Sequence, residues 1–567
     1  MKKKWIFPAQ GFYEKDTEEI HPVLFDLLKN RGIENKEAMQ EFLDPRPKLT
    51  YDPFAMKGMR EAALLILDAI EQGKRICVYG DYDADGVCAS TLMMEILSEL
   101  SADVFYYIPS RFEEGYGLNM SAISAISQKG ARVIVTVDCG STSIEELKYA
   151  KKLGIEIVVT DHHNMDEGNG KTADCILVNP KRVDCGYPDP NLSGCGVAFK
   201  LAQALQRMEI ELKGRSAISK TILNGVLDLV AIATIGDIVP LMGENRTLVK
   251  YGMEIINRGN RPGLAKLIKD TGLKPGEISC ENVAYVIVPH LNAAGRLLSA
   301  DKAVTLLISK EEGEINAAVA ELIESNRERR RIQEEATEKV IGIIKDDGME
   351  SEFLLIYAPF VHEGIAGIVA GKIKDAFYRP AIILTAGSDG LLKGTGRSIE
   401  GVDLYRLLSC SKDLFVKFGG HEGACGFSMK EQYIPMLKRN LNYEMDKIIE
   451  NQPELLIPKI HIDRELEGGE LSIALVKEIE RLAPFGHMNP SPVFCIRKAS
   501  ITGLRYMGEH GQHVSFCALG VECILFNRGD EYEKILKGQD PADLAGELGI
   551  NRWNNKEKIQ FVIRDIQ

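Results

Sequence analysis

The chain has no stretch of about 20 apolar residues free of charge, which speaks against a membrane-spanning helix. Its most apolar region, ILNGVLDLVAIATIGDIVPLM, carries Asp228 and Asp237. The basic start, MKKKWIFPAQ, is followed by no long apolar segment, so no secretory signal is expected. The 12 cysteines contain no C-x-x-C pair and no regular spacing. That excludes a disulfide framework and a cysteine zinc site, and it points to reduced thiols in a cytoplasm. Positive charge is also short: 69 Lys and Arg against 82 Asp and Glu give a net charge of −13. A nucleic-acid partner normally calls for a basic footprint. A local basic groove, or metal ions bound in an acidic site, can offset that deficit. No fixed-period repeat and no low-complexity tract is present.

What is there fits a multidomain protein. Its 567 residues, 45% hydrophobic, suffice for roughly three or four domains. From about 60 to 180, the β-rich runs RICVYG, DVFYYIP, ARVIVTVD, IEIVVTD and CILVNP alternate with helical patterns. That alternation predicts an α/β fold with a doubly wound parallel sheet. Further helices are expected from roughly 195 to 310. Residues 311–346 contain no proline, and no glycine from 314 to 341, so one long connecting helix is predicted. It carries Arg327, Arg329, Arg330 and Arg331, which read most simply as a solvated face. A second α/β stretch follows, and then a small β-barrel of OB-fold type.

The stretch CVYGDYDADGVCAS sets Asp81, Asp83, Asp85 and Gly86 in a D-x-D-x-D-G pattern. An EF-hand calcium loop would need a glutamate at its twelfth position, where this chain has Leu92, and a helix rather than a strand before it. A strand, an acidic loop and then a helix suit a metal at the carboxyl edge of a parallel sheet. A capped, Asp-rich turn is the simpler reading of this motif alone. Three more acidic sites, however, lie at or near strand ends: Asp138, Asp161 with His162 and His163, and Asp237. Strand ends converge in space, so these groups can form one centre. Asp83, Asp85, Asp138 and Asp237 offer carboxylates and His162 an imidazole, with Asp81 and His163 in reserve. So many charged ligands suit two metals rather than one. Mostly oxygen donors favour Mn2+ or Mg2+ over zinc. For an anionic substrate the chain offers Arg111 and Tyr116 in SRFEEGYGLN, Ser193 opening a helix, Asn292 and Arg296 in LNAAGRL, and His421 in a glycine-rich run.

The motifs GDYDADG, VDCG, TDHH and IATIGDIVPL resemble those of the DHH phosphoesterases. Together with LNAAGRL, ESNRERRRIQ, HEGIAGIVAG, GTGRSI, FGGHEGACGF, LAPFGHMNPSPVF and NRWNNKEKIQ, they resemble the RecJ exonucleases within that superfamily. The resemblance implies an N-terminal segment (1–55), a DHH catalytic domain (56–310), the connecting helix (311–346), a DHH-associated domain (347–455) and an OB-fold-like domain (456–567). It implies catalysis by Asp83, Asp85, Asp138, His162 and His163. Metal ligation would fall to Asp81, Asp83, Asp85, Asp138, His162 and Asp237, and nucleic-acid contacts to Arg111, Tyr116, Ser193, Asn292, Arg296, Arg397 and His421. The implied reaction is 5′→3′ degradation of single-stranded DNA with two divalent ions, Mn2+ or Mg2+. Implied partners are a helicase and a single-strand-binding protein, with no membrane, for a monomer in the cytoplasm. His290, Val361 and Asn555 depart from residues common in the family. The rival reading is a DHH phosphodiesterase acting on short oligoribonucleotides or cyclic dinucleotides. A scaffold without catalysis is disfavoured because every acidic and histidine position is filled.

Overall fold

The structure is a computed structural model. It describes all residues except 1–2, 9–19, 111–113, 116, 166–174, 298, 347–350, 388–389, 539 and 554–555. The chain forms two compact units, one of residues 1–7 and 326–462, the other of 8–325 and 463–567. No helix among the described residues is long and apolar enough to cross a membrane.

The larger unit is built on five parallel strands in the order Val104–Tyr107, Ile76–Tyr79, Val133–Val137, Glu156–Thr160, Ile176–Val178. Every residue of Ile76–Tyr79 and of Val133–Val137 is buried. A parallel sheet covered on both faces requires such continuous apolar runs. From Ile76–Tyr79 the chain first adds a neighbour on one side, Val104–Tyr107, and then one on the other, Val133–Val137. This reversal opens a crevice at the carboxyl ends of the strands. D-x-D-x-D-G and Asp138 both sit there.

The run before Asp237 differs from the expectation of a strand end. Leu227–Gly236 is a helix, buried from Leu227 through Thr234. An apolar run buried all round shows neither helical nor strand periodicity, so the pattern alone cannot tell the two apart. Asp237 reaches the site as the residue that ends this helix.

The last hundred residues form a seven-stranded sheet in the order Arg464–Glu465, Phe494–Ala499, Ala542–Trp553, Lys556–Ile566, Val521–Leu525, His513–Ala518, Thr502–Met507. The N-terminal helices Pro22–Asn30 and Lys36–Leu43 share its core: Val23, Leu24, Leu27, Met39 and Phe42 pack with Leu475, Phe494 and Phe561. Nothing local in the sequence signals that long-range pairing. Arg246 stitches these parts together. It is 2% exposed, stacks 3.7 Å over the Phe42 ring, and donates to the carbonyls of Phe42, Leu482 and Ala483 at 2.8–2.9 Å.

The smaller unit holds a mixed sheet in the order Phe415–His421, Ala424–Met429, Leu392–Arg397, Ala381–Ala386, Leu354–Tyr357. The long helix spans Glu312–Asp346 and runs from one unit into the other. Its arginines divide. Arg331 is exposed and paired with Glu328 and Glu335, the expected solvated face. Arg329 is buried and bonded to Asn326 and Gln333.

Candidate metal centre

Gly80 ends the strand Ile76–Tyr79, and the chain turns so tightly that a Cβ there would lie 1.9 Å from Ser90 Oγ. Asp83 then caps the helix Ala84–Glu99, its Oδ1 accepting from the N–H of Asp85 (3.0 Å) and of Gly86 (3.1 Å). The capping interpretation is therefore right for one of the three aspartates. Asp81 and Asp85 are buried, at 4% and 2% exposure. The motif's glycine has a steric reason: a Cβ on Gly86 would meet the Asp81 backbone at 2.5–2.7 Å.

Asp85 is held from outside its own loop. The N–H groups of Gly194 and Cys195, at the start of the helix Gly194–Lys213, donate to its two carboxylate oxygens at 2.7 Å each. This corrects the expectation that Ser193 opens a phosphate site. Ser193 is fully buried, its Oγ accepts from Gly196 N–H, and a carboxylate of the protein itself takes the anion-binding donors of that helix end. Gly194 also admits Asp138, since a Cβ there would fall 2.5 Å from the Asp138 carboxylate.

Asp138 follows Val133–Val137, is 2% exposed and has φ +63°. Aspartate tolerates this left-handed backbone better than most residues, and such outliers collect at functional sites. Asp161, after Glu156–Thr160, accepts from the N–H groups of Ser141, His162 and His163 and pairs with His163 Nδ1 at 2.8 Å. The sequence displayed Asp161 in D-H-H but gave it no task. Its task is to orient His163.

Around His162 Nε2 lie Asp138 Oδ1 at 3.1 Å, Asp237 Oδ2 at 3.6 Å and Asp85 Oδ2 at 3.8 Å. Among the described residues, three sets bring ligand atoms within 4.8 Å of one another: Asp138, His162 and His163; Asp85, His162 and Asp237; Asp81, Asp83 and Asp138. Asp138 belongs to two of these sets, and so does His162.

The electrostatics suit a cation. Burial, then the charges of Asp237 and Asp83, pushes the Asp85 carboxyl well above the ordinary range. Burial, then Asp85 and Asp83, does the same to Asp138. Asp237 is pushed up to about 7, by burial and then Asp83. Burial and the neighbouring His163 lower His162 to about 3, so it is the neutral imidazole a metal needs. For Asp161, burial pushes upward, but the His163 hydrogen bond and charge outweigh it and hold the carboxyl below its usual range. His163 shows the reverse balance: burial lowers it, Asp161 raises it, and the net shift is upward. Asp138 Oδ1 and His162 Nε2 face each other with no hydrogen-bond partner. A proton or a metal ion between two such buried atoms would satisfy both. The donor set fits divalent ions that prefer oxygen.

The predicted substrate contacts are divided between the two units. Asn292 is half-buried, and its Oδ1 accepts from Ala84 N–H at 2.7 Å, so it braces the acidic loop. Arg111 and Tyr116 lie outside the described residues, as does the side chain of Arg296. Arg397 and His421 stand in the smaller unit on one rung of its sheet, each opposite Ala424. One group escaped the sequence reading. Half-buried Lys181, just past the strand Ile176–Val178, is lowered by burial and raised by Asp237 and Asp161, which places it beside the cluster. The only signal for it was a lysine following the fifth strand.

Known proteins resemble this chain along nearly all of its length. The chain is 38% identical over its whole length to the single-stranded-DNA-specific exonuclease RecJ of Bacillus subtilis, covering 71% of that protein. It is 32% identical to the RecJ of Salmonella typhimurium, covering 97% of this chain and 96% of the relative. The chain belongs to the RecJ family. Within the RecJ framework, residues 75–234 match the DHH family N-terminal domain, 351–450 the DHHA1 domain and 462–565 the RecJ OB domain. A crystal structure of RecJ in complex with Mn2+ from Thermus thermophilus superposes with a TM-score of 0.81 at 31% identity, covering 97% of this chain and 76% of that one. A second crystal structure, of exonuclease RecJ bound to manganese, gives 0.59 at 35% identity, covering 71% of this chain and 98% of that one.

Proposed function

We propose that this chain is a metal-dependent 5′→3′ exonuclease that degrades single-stranded DNA to 5′-mononucleotides in DNA repair and recombination. The observation that carries this reading is the set of overlapping carboxylate–histidine groups sharing Asp138 and His162, in a chain of the RecJ family. Two divalent ions, Mn2+ or Mg2+, held by Asp81, Asp83, Asp85, Asp138, His162 and Asp237, would supply Lewis acidity at the phosphodiester and an acidified water for in-line attack.

The chain's own residues prepare that chemistry. Asp138 places one carboxylate within reach of two of the three ligand sets. The helix start at Gly194 fixes Asp85 before any ion arrives. His162 stays neutral and keeps a lone pair at Nε2. Asp161 raises the His163 imidazole above its ordinary range, and this ring is the group proposed to face the phosphoryl oxygens, where positive charge lowers the barrier. Arg111, Tyr116, Arg296, Arg397 and His421 are the proposed contacts along the strand. Asn292 joins them through its amide nitrogen, its oxygen being engaged with Ala84. The OB domain suits sequence-tolerant stacking of single-stranded bases. The expected setting is the cytoplasm, as a monomer. A helicase would supply single strands there, and a single-strand-binding protein would coat them.

The test is degradation of 5′- and 3′-labelled single strands with Mn2+, beside blunt duplex, short RNA and a cyclic dinucleotide. Early release of the 5′ label as mononucleotide, from single strands alone, is the expected result. Activity confined to short RNA or the cyclic dinucleotide would refute the proposal in favour of the other DHH phosphodiesterases.

A further inference from the structure

The helix that delivers Asp237 ends in an unusual way. Ile238 takes the left-handed conformation, φ +56°, with its N–H on Ile235 O at 3.3 Å. Glycine or asparagine normally fills that position after a helix, because a Cβ is crowded there. A β-branched residue at positive φ is a genuine outlier. Burial does not compensate, since Ile238 is 68% exposed. An exposed apolar side chain on strained backbone does nothing for the fold, and strain of this kind collects at functional sites.

The segment is also held in place. Leu241 N–H donates to His487 O at 2.9 Å, and Gly486 lies so close that a Cβ there would come within 2.6 Å of Leu241 Cδ1. The loop that contributes His487 repeats the oddity: Met488 has φ +62° and is 60% exposed. Two strained, exposed apolar residues thus stand on two segments tied together, just past a metal-binding carboxylate.

We infer that Ile238 is a specificity-determining residue whose side chain supports the base of the terminal nucleotide while that nucleotide's phosphate lies at the metal centre. The inference rests on the nuclease reading. Adjacent Cα atoms are about 3.8 Å apart, so a nucleotide with its phosphate beside Asp237 has its sugar and base within reach of Ile238. An apolar contact also suits an enzyme that takes every base in turn, because all bases present an apolar face.

The experiment compares wild type, Ile238→Asn and Ile238→Leu on two single strands of one sequence, one ending in an ordinary 5′ nucleotide and one in an abasic 5′ nucleotide. Ile238→Asn is expected to raise KM on the ordinary end about fivefold or more, to leave kcat and the Mn2+ dependence unchanged, and to have no effect on the abasic end. Ile238→Leu is expected to keep the wild-type KM. The melting temperature of Ile238→Asn is expected to equal or exceed that of wild type. An equal rise in KM on both ends, or a melting temperature several degrees lower, would overturn the inference. The wild-type rate on the ordinary strand reports separately on the nuclease reading.

Discussion

Around Arg246 a buried cation is surrounded by carbonyl dipoles, whereas at the strand ends buried acids face mainly one another. The guanidinium donates to Phe42, Leu482 and Ala483, and burial lowers its pKa only to about 9. Nearby, Lys200 and Glu244 pair at 2.8 Å with both side chains at 0% exposure, and Tyr51 and Tyr187 complete their hydrogen bonds. There the chain satisfies its own charge. At the candidate metal centre Asp85, Asp138 and Asp237 are all shifted upward, and His162 Nε2 has no hydrogen-bond partner. Satisfied buried charge holds segments together. Unsatisfied buried charge marks the place where something from outside must bind.

The contrast is broken most forcefully by exchanging the consequences of mutation between the two regions. Asp138→Ala is expected to lower mononucleotide release on the order of a thousandfold or more. The same change should leave the melting temperature in EDTA unchanged or raised, because it removes repulsion. Lys200→Met should do the opposite. Stranding Glu244 as a buried charge is expected to cost about 3–5 kcal/mol of stability by denaturant unfolding, while the Mn2+ dependence of whatever folds stays as in wild type.

Asp161→Asn probes the boundary between the regions, since Asp161 is a satisfied charge inside the centre. A drop in rate of about 10- to 100-fold is expected. Asp161 is what raises His163, so the alkaline limb of the pH–rate profile should move to lower pH. An unmoved limb would separate His163 from the reaction.

The pH dependence of folding gives a finer comparison. Asp237, at about 7 in the fold, binds its proton more tightly folded than unfolded. The stability this confers is present at low pH and is lost as pH rises through about 7. His162 acts in the other direction. Neutral in the fold down to about 3, it contributes fully above its ordinary value near 6.5 and loses that contribution on acidification. Between pH 6.5 and 8 the carboxylates therefore dominate. Melting of the metal-free wild type should fall across that window, Asp237→Asn should fall less, and Mn2+ should abolish the difference. At the small end, Arg331→Ala removes exposed ion pairs with Glu328 and Glu335 and should leave the melting temperature unchanged.

The sequence carried the sheet and most of the residues that cluster at its edge, because both are written locally. Buried strands appear as short apolar runs, and D-x-D-x-D-G, Asp138 and D-H-H each follow one. It misread Ser193, since a helix start looks the same whether phosphate or Asp85 occupies it. It assigned Asp237 to a strand end because a fully buried helix has no amphipathic period. It left Asp161 idle because orientation of His163 depends on contacts with Ser141 that spacing does not show. It separated residues 1–55 from the C-terminal domain, whose core those helices share, because that contact spans more than four hundred residues.

The most direct test of the account is the number of Mn2+ ions bound per chain, measured by titration calorimetry on metal-free wild type and on Asp138→Asn. Two ions on the wild type, with binding weakened at both sites by the single substitution, is the expected result. A single ion, or an Asp138→Asn titration identical to wild type, would contradict a two-ion centre in which Asp138 serves two of the three ligand sets.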